Sequence, residues 1–291
     1  MPKNRYYSGV LSDTGQQRAE NQDAYALPRA QDTDGRGYGY ALPDEAAHKG
    51  ALFLVADGVG GSQAGQAASL AAVRAVVTAY YAGPVSRHDL ALERAVSQAN
   101  AALYAAATAT DATGSTTLVG LLLLKERGFV LNIGDSRAYC LRCAGIEQLT
   151  QDHSLREKLL HSGEVAPEDG VTIPDHIITR SMGRDPDVTP DIFEIAVEPG
   201  DQFLLCTDGL TRHVNNEELA RISTQAPTPQ DAVEALVALA NARGGKDNIT
   251  VLLVRTWRDL PVNFWYTLAR ILAVLILLTG LVWTLWQVLQ P

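Results

Sequence analysis

Five aspartates fall at the margins of apolar runs. Asp57-Gly58 follows ALFLVA, Asp135 stands in Gly134-Asp135-Ser136-Arg137 after FVLNI, and Asp208-Gly209 follows DQFLLCT. Asp247-Asn248 opens ITVLLV, and Asp23 ends Arg18-Ala19-Glu20-Asn21-Gln22-Asp23. A single Asp-Gly reads as a turn. Five such placements at strand margins can converge on one edge of a sheet core. Clustered carboxylates repel one another unless protons or cations neutralise them. Hard oxygen donors of this kind select Mg2+ or Mn2+ over zinc. A pair of such ions bridged by a carboxylate and a hydroxide is suited to in-line attack at phosphorus.

The elements that must position these residues follow from hydrophobic patterning. Strands are predicted over residues 6–12, 23–27, 51–56, 115–124, 128–133, 137–142, 191–197, 202–206 and 249–254. The short turn at 125–128 makes two of them a hairpin candidate. Two Ala-rich stretches, 64–81 and 89–107, read as helices, with Asp89 at the start of the second and Glu93 in its first turn. Further helices are expected near 155–161, 217–223 and 230–243, and residues 32–50 read as a surface excursion. Strands without regular helix alternation, plus consecutive helices, predict an α+β design of packed antiparallel sheets flanked by helices.

Composition narrows the classes. The chain has 291 residues, 46% of them apolar, with 33 acidic and 24 basic side chains and a net charge of −9. That supports a sizeable core and excludes both a disulfide-stapled miniprotein and a disordered chain. The acidic balance argues against a nucleic-acid partner, whose phosphates require a basic surface. Three cysteines fit a reducing compartment. The opening MPKNRYYSGV lacks an apolar signal segment.

The apolar residues are concentrated at one end. From Ile271 to Leu289, ILAVLILLTGLVWTLWQVL holds 15 apolar residues of 19 and no charge. As a helix it spans about 29 Å, close to the hydrocarbon thickness of a bilayer. Trp265, Tyr266, Trp283 and Trp286 stand where interfacial aromatics belong, and Arg255, Arg258 and Arg270 flank the N-terminal side. With two residues after Leu289, the segment is expected to be a tail anchor. The expected layout is a soluble domain over 1–257, a juxtamembrane linker over 258–270 and a transmembrane helix over 271–289, single-pass in the cell membrane with the domain in the cytoplasm.

Eight segments together resemble the metal-dependent type 2C (PPM) serine/threonine protein phosphatases in their compact bacterial form. They are RAENQD (18–23), VADGVGG (55–61), TGSTT (113–117), GDSRA (134–138), LTQDHS (149–154), TRSMG (179–183), CTDGL (206–210) and KDNIT (246–250). The resemblance implies a four-layer α-β-β-α sandwich with a site at one end for two ions of Mn2+ or Mg2+, and for a third in some bacterial relatives. It implies that Asp57 bridges the metals, that the Gly58 carbonyl is a ligand, and that Asp208 and Asp247 complete the other shell. Asp135, with Asp208, matches the third-metal site, Asp23 a residue acting through water, and Arg18 the phosphate-binding arginine. The implied reaction is direct attack on phosphoserine and phosphothreonine of proteins by a metal-bridging hydroxide, with no phosphoenzyme. Substrates would be proteins phosphorylated by a cognate serine/threonine kinase, and the enzyme is expected to be a monomer. A catalytically silent phosphoprotein-binding module and a hydrolase of small phosphorylated metabolites are the rival readings.

Two positions depart from the pattern. Val59 stands where some relatives carry a histidine proposed as general acid, and Gln22 stands where many have Glu. Other features have plain readings. Cys140 and Cys143 form C-x-x-C on a strand, where residues three apart face opposite sides, so neither zinc nor redox chemistry is expected. His153 is expected to order its loop. The glycines of residues 60–65 lack the Lys-Ser/Thr of a phosphate loop and serve the turn into the first helix. Residues 155–178 correspond to the mobile flap of bacterial relatives.

Overall fold

A computed structural model of the chain describes residues 4–28, 39–41, 49–110, 114–124, 126–142, 145–166, 173–174, 177–258, and 275, 276 and 279. The strands in chain order are β1 (Asn4–Asp13), β2 (Ala24–Leu27), β3 (Gly39–Ala41), β4 (Ala51–Ala56), β5 (Gly58–Val59), β6 (Ser115–Thr116) and β7 (Leu118–Leu123). They continue as β8 (Arg127–Ile133), β9 (Arg137–Arg142), β10 (Gly145–Gln148), β11 (Asp191–Ala196), β12 (Gln202–Cys206) and β13 (Ile249–Arg258). The helices are α1 (Ser62–Ala82), α2 (His88–Thr110), α3 (Leu155–Ser162), α4 (Asp208–Thr211), α5 (Asn216–Gln225) and α6 (Pro229–Ala242).

One sheet runs β1-β13-β12-β9-β10 and the other β11-β8-β7-β4-β2-β3. Every pairing in them is antiparallel except β2 with β3, which is parallel. The two inner faces close on Phe53, Val55, Leu121 and Val130 from one sheet and Phe203, Leu205, Leu252 and Val254 from the other. The alternate residues point outward into helices. Leu52 and Leu54 pack with Val73, Val76 and Leu92 of α1 and α2. Leu204, Val251 and Leu253 pack with Val233 and Leu236 of α6. Both faces of the central strands are therefore covered, which is why ALFLVA is an unbroken apolar run rather than an alternating one. The α-β-β-α sandwich expected from the sequence is present.

Helix starts are specified locally. Asn215 with Glu218 and Thr228 with Asp231 form capping boxes at α5 and α6, and Pro229 sits at the first position of α6. Ser154 caps α3 by accepting from the Glu157 N–H.

Four elements escaped the pattern reading: β3, β5, β10 and α4. The strand expected over 115–124 is broken at Thr117, because β6 leaves the sheet to pair with β5. β3 falls inside the expected surface excursion and adds a parallel edge to β2. Cys143, most of the excursion and the linker beyond Arg258 lie outside the described residues. So does the expected transmembrane segment, apart from Leu275, Ile276 and Thr279, which are helical. Among the described residues no helix is long and apolar enough to cross a membrane.

Strand register determines where the aspartates meet. Ala24 pairs with Ala56, so Asp23 and Asp57 stand side by side where β2 begins and β4 ends. Leu118 pairs with Ile133, which sets Thr117 beside Gly134 and the Asp135 turn. Cys206 pairs with Val251, and the Thr207 N–H donates to the Thr250 carbonyl at 3.1 Å, so Asp208 and Asp247 flank the same margin of the other sheet.

Candidate active site

A cleft of about 500 Å3 opens at that margin. Asp57, Asp135, Asp208 and Asp247 line it together with Gly58, Arg18 and Arg212, while Asp23 is fully buried below. Six of the seven residues named from the sequence thus line one cleft, and the seventh lies buried behind them.

Asp57 is held through its backbone. The Asp57 N–H donates to Thr117 Oγ1 at 2.9 Å, and its carbonyl accepts from the Thr117 N–H at 2.9 Å and from Thr116 Oγ1 at 2.8 Å. Thr117 Oγ1 also shares a 2.8 Å hydrogen bond with Ser136 Oγ, tying the β4 margin to the Asp135 turn. Gly134 has φ 104, a left-handed conformation that favours glycine. A Cβ there would stand 2.5 Å from Thr117 Cγ2. His153 clamps the same turn. Its Nδ1 accepts from the Gly134 N–H at 3.0 Å, the His153 backbone N–H donates to the Gly134 carbonyl at 2.8 Å, and Nε2 lies 3.0 Å from Asp191 Oδ2. The ring's bonds are thereby spent on ordering the loop. Arg137 of the same motif forms a two-point pair with Asp152, at 2.9 Å from Nε and 2.6 Å from Nη2.

Gly58 has a different reason to be glycine. A Cβ there would sit 2.3 Å from the Gly65 carbonyl oxygen and 2.7 Å from that of Gln22. The first turns of α1 press against the strand margin, and Gly60 and Gly61, at φ 112 and 87, supply the reversal between them.

On the opposite side Asn248 acts as a hub. Its Nδ2 donates to the carbonyls of Thr14 and Glu20, both at 2.9 Å, and its Oδ1 accepts from the Gln22 N–H at 2.9 Å. This fastens the RAENQD loop to the start of β13. Arg18 Nη2 donates to Asp247 Oδ2 at 2.8 Å, with the arginine side chain half exposed. Arg212 pairs with Asp208 four residues earlier, and its Nη1 stands 3.9 Å from Asp247 Oδ2.

The roles of Thr117, Thr207, Thr250, Asn248 and Arg212 were not read from the sequence. Each threonine and Asn248 sits inside or next to a quoted motif, so a hydroxyl or amide beside an aspartate was the available signal. Arg212 becomes a neighbour of Asp208 only once residues 208–211 are known to be helical.

The electrostatics are those of crowded, desolvated acids. Burial raises Asp23 to a pKa of about 7, against two hydroxyl donors, Thr250 Oγ1 at 2.7 Å and Thr207 Oγ1 at 3.0 Å, both on Oδ2. Burial, followed by the charge of Asp208, raises Asp135 to about 7. Asp57 is pushed well above the carboxylate range by burial and by Asp23, Asp208, Asp135 and Asp247 around it. Asp23 Oδ1 and Asp135 Oδ1 are buried oxygens without a hydrogen-bond partner. Unpartnered buried oxygens and hard donors fit divalent Mg2+ or Mn2+. Among the described residues, however, no three His, Cys, Asp or Glu side chains are already set to hold an ion. Arg18 and Arg212 take oxygens of Asp247 and Asp208 in this arrangement.

These shifts predict a pH-dependent effect of Asp23→Asn in the presence of chelator. In the unfolded chain Asp23 ionises near pH 4, whereas in the fold it ionises near 7. Below pH 4 both states are protonated and there is no penalty. Between 4 and 7 the folded state binds the extra proton, so stability falls as pH rises. Asn carries no such charge. The melting temperature of Asp23→Asn minus that of the wild type is expected to increase from pH 5 to pH 7.5. A difference that stays flat across this range contradicts a buried ionisable Asp23.

With this geometry established, similarity to known proteins is informative. The sequence pattern of the family Protein phosphatase 2C matches residues 41–242. Serine/threonine phosphatase stp of Listeria monocytogenes is 36% identical over 217 residues, 72% of this chain and 85% of that protein. Protein phosphatase PhpP of Streptococcus pneumoniae is 33% identical over 258 residues, 84% of this chain and 95% of its own. The crystal structure of the PstP serine/threonine protein phosphatase catalytic domain, in complex with two manganese ions, superposes with a TM-score of 0.72 at 29% identity. It covers 88% of this chain and all of that one. Matches of this length and identity go beyond a shared architecture: the chain belongs to the protein phosphatase 2C family, as a protein serine/threonine phosphatase.

Proposed function

We propose that the cleft hydrolyses phosphoserine and phosphothreonine in proteins with bound Mn2+ or Mg2+, without a phosphoenzyme. The observation that carries this reading is the set of crowded carboxylates at one end of the two sheets, with unpartnered buried oxygens on Asp23 and Asp135 and a half-exposed Arg18 lining the same cleft. Asp57, Asp208, Asp247 and the Gly58 carbonyl would hold two ions. Asp135 with Asp208 would hold a third, and Asp23 would act through water. Bound there, the ions supply Lewis acidity toward phosphoryl oxygens and a water acidic enough to attack near neutral pH.

The chain's own residues do the rest. Arg18, released from Asp247, presents its planar fork to two phosphoryl oxygens. Thr117, Thr207 and Thr250 hold Asp57 and Asp23 in place through the hydrogen bonds described above. Among the described residues, Ser136, Cys140 and Cys206 are ill placed to act as nucleophiles. Ser136 is buried and bonded to Thr117, while Cys140 and Cys206 are buried, with thiols raised by burial to about 11 and about 12. Val59, 37% exposed in the lining of the cleft, has no transferable proton, so the leaving alcohol is protonated by another group there. The defining test is phosphate release from a phosphothreonine peptide in the presence of Mn2+.

The domain reading extends to the whole chain: a catalytic unit over 1–257, a linker over 258–270 and an anchor over 271–289, acting as a monomer on membrane-proximal phosphoproteins made by a serine/threonine kinase. The charge-free run of 271–289 and the arginines before it support this. The full chain is expected to sediment with membranes and to need detergent for release, while residues 1–258 stay in the supernatant. Full-length protein that remains soluble without detergent contradicts the anchor.

A further inference from the structure

Arg212 has no part in the reaction as derived above, yet it lies in the wall of the cleft. It follows α4 directly, and its N–H donates to the Asp208 carbonyl at 3.0 Å. Its guanidinium folds back over that single turn onto Asp208 Oδ2 and reaches to 3.9 Å from Asp247 Oδ2. Asp208 Oδ1 is buried, so the oxygen that Arg212 takes is the outward one. Arg18 takes Oδ2 of Asp247 in the same way. Two arginines thus neutralise the two carboxylates that a cation entering this side of the cleft needs. The Arg212 side chain is 32% exposed, so it can swing into solvent without disturbing α4.

We propose that Arg212 is a built-in counter-cation that competes with divalent ions for Asp208 and Asp247, and so sets the concentration at which the cleft loads. The proposal rests on the reading of this cleft as a Mn2+ or Mg2+ site. Competition follows from charge and position. An incoming ion meets the guanidinium's positive charge at the outward oxygen of Asp208 and again at Asp247. A carboxylate has lone pairs for both an arginine and a metal, so a merely orienting Arg212 makes the opposite prediction, namely weaker metal binding when it is removed. Arg18 differs, because phosphate binding already requires it to leave Asp247.

The test is Mn2+ titration calorimetry on metal-stripped, full-length, detergent-solubilised protein, with melting temperatures in chelator and in saturating Mn2+. Arg212→Gln is expected to bind Mn2+ about three- to fivefold more tightly than the wild type, the upper scale of one partly exposed ion pair. Arg212→Lys, which keeps the charge but not the fork, is expected to stay within about twofold of the wild type. In chelator Arg212→Gln is expected to melt lower, since the carboxylates lose a counter-charge, whereas in Mn2+ it melts at or above the wild type. A variant that folds only when Mn2+ is added supports the proposal in the same way. Unchanged or weaker Mn2+ affinity of Arg212→Gln, or equal losses of melting temperature with and without Mn2+, overturns it. Wild-type protein that takes up no Mn2+ overturns the reading of the cleft itself, and this proposal with it.

Discussion

Asp208→Ala is expected to lower turnover on a phosphothreonine peptide by on the order of a thousandfold or more, at saturating Mn2+, while the protein keeps its fold. Asp208 opens α4 at the cleft wall, with Asp247 across from it and Asp135 and Asp57 close enough for its charge to raise both. Its carboxylate is one of those assigned to the ions, so Ala removes a donor that no neighbour replaces. The stability change is small by comparison. The site is crowded with like charges, and deleting one relieves Asp57, Asp23 and Asp135, which offsets the loss of the ion pair with Arg212. Steady-state rates at several Mn2+ concentrations, with circular dichroism and melting curves, check both halves. Full activity in Asp208→Ala rejects the ligand assignment. A collapsed fold rejects the claim that Asp208 serves chemistry rather than structure.

Gly209→Ala, one residue on, is expected to act through packing. A Cβ at Gly209 would stand 2.0 Å from the Asn248 carbonyl oxygen and 3.0 Å from its carbon, both backbone atoms that cannot rotate away. Relief requires separating α4 from the start of β13, the two segments that bring Asp208 and Asp247 together. Overpacking against backbone in a closed interior costs about 3 kcal/mol at this severity, which for a domain of this size lowers the melting temperature by roughly 6–12 °C. Mn2+ affinity is expected to fall with it, since the separation widens the carboxylate cluster. Thermal melts with calorimetric Mn2+ titration decide this. A variant with wild-type stability shows that the contact relaxes freely and that the glycine is not needed for close approach.

That glycine also shows where reading the sequence stops. An Asp-Gly pair reads as a turn, yet neither Gly58 nor Gly209 is among the positive-φ glycines; both are glycine because another backbone passes too close for a Cβ. The Gly134-Asp135 turn, by contrast, does use its glycine for a left-handed backbone. The central strands were legible because burial on both faces makes ALFLVA an unbroken apolar run and leaves FVLNI and ITVLLV apolar but for Asn132 and Thr250, and the Ala-rich helices because of their propensity. β10 was not, since its four residues form a half-exposed edge with little apolar pattern. The break at Thr117 was not, because a threonine pair is ordinary strand sequence. Here it is spent on the Asp57 backbone.

The site itself was legible as five aspartates at strand margins and an arginine in a quoted motif. Their convergence was not, because it depends on register: a shift of one residue between β2 and β4 would part Asp23 from Asp57. The hydroxyls that hold Asp23 belong to segments more than 180 residues away in the chain, beyond the reach of any local pattern. Arg212 was hidden by the unrecognised turn of helix before it.

The central claim is that this cleft cleaves phosphomonoesters of protein serine and threonine through divalent ions held by its aspartates. Its most direct test is the initial rate of phosphate release from a phosphothreonine peptide by metal-stripped protein, measured without metal, with Mn2+ added, and with Mn2+ followed by excess chelator. The expected result is no turnover without metal, turnover that rises with Mn2+ to saturation, and loss of that turnover on chelation. Turnover that persists in chelator, or none from folded protein shown to have bound Mn2+, contradicts the account.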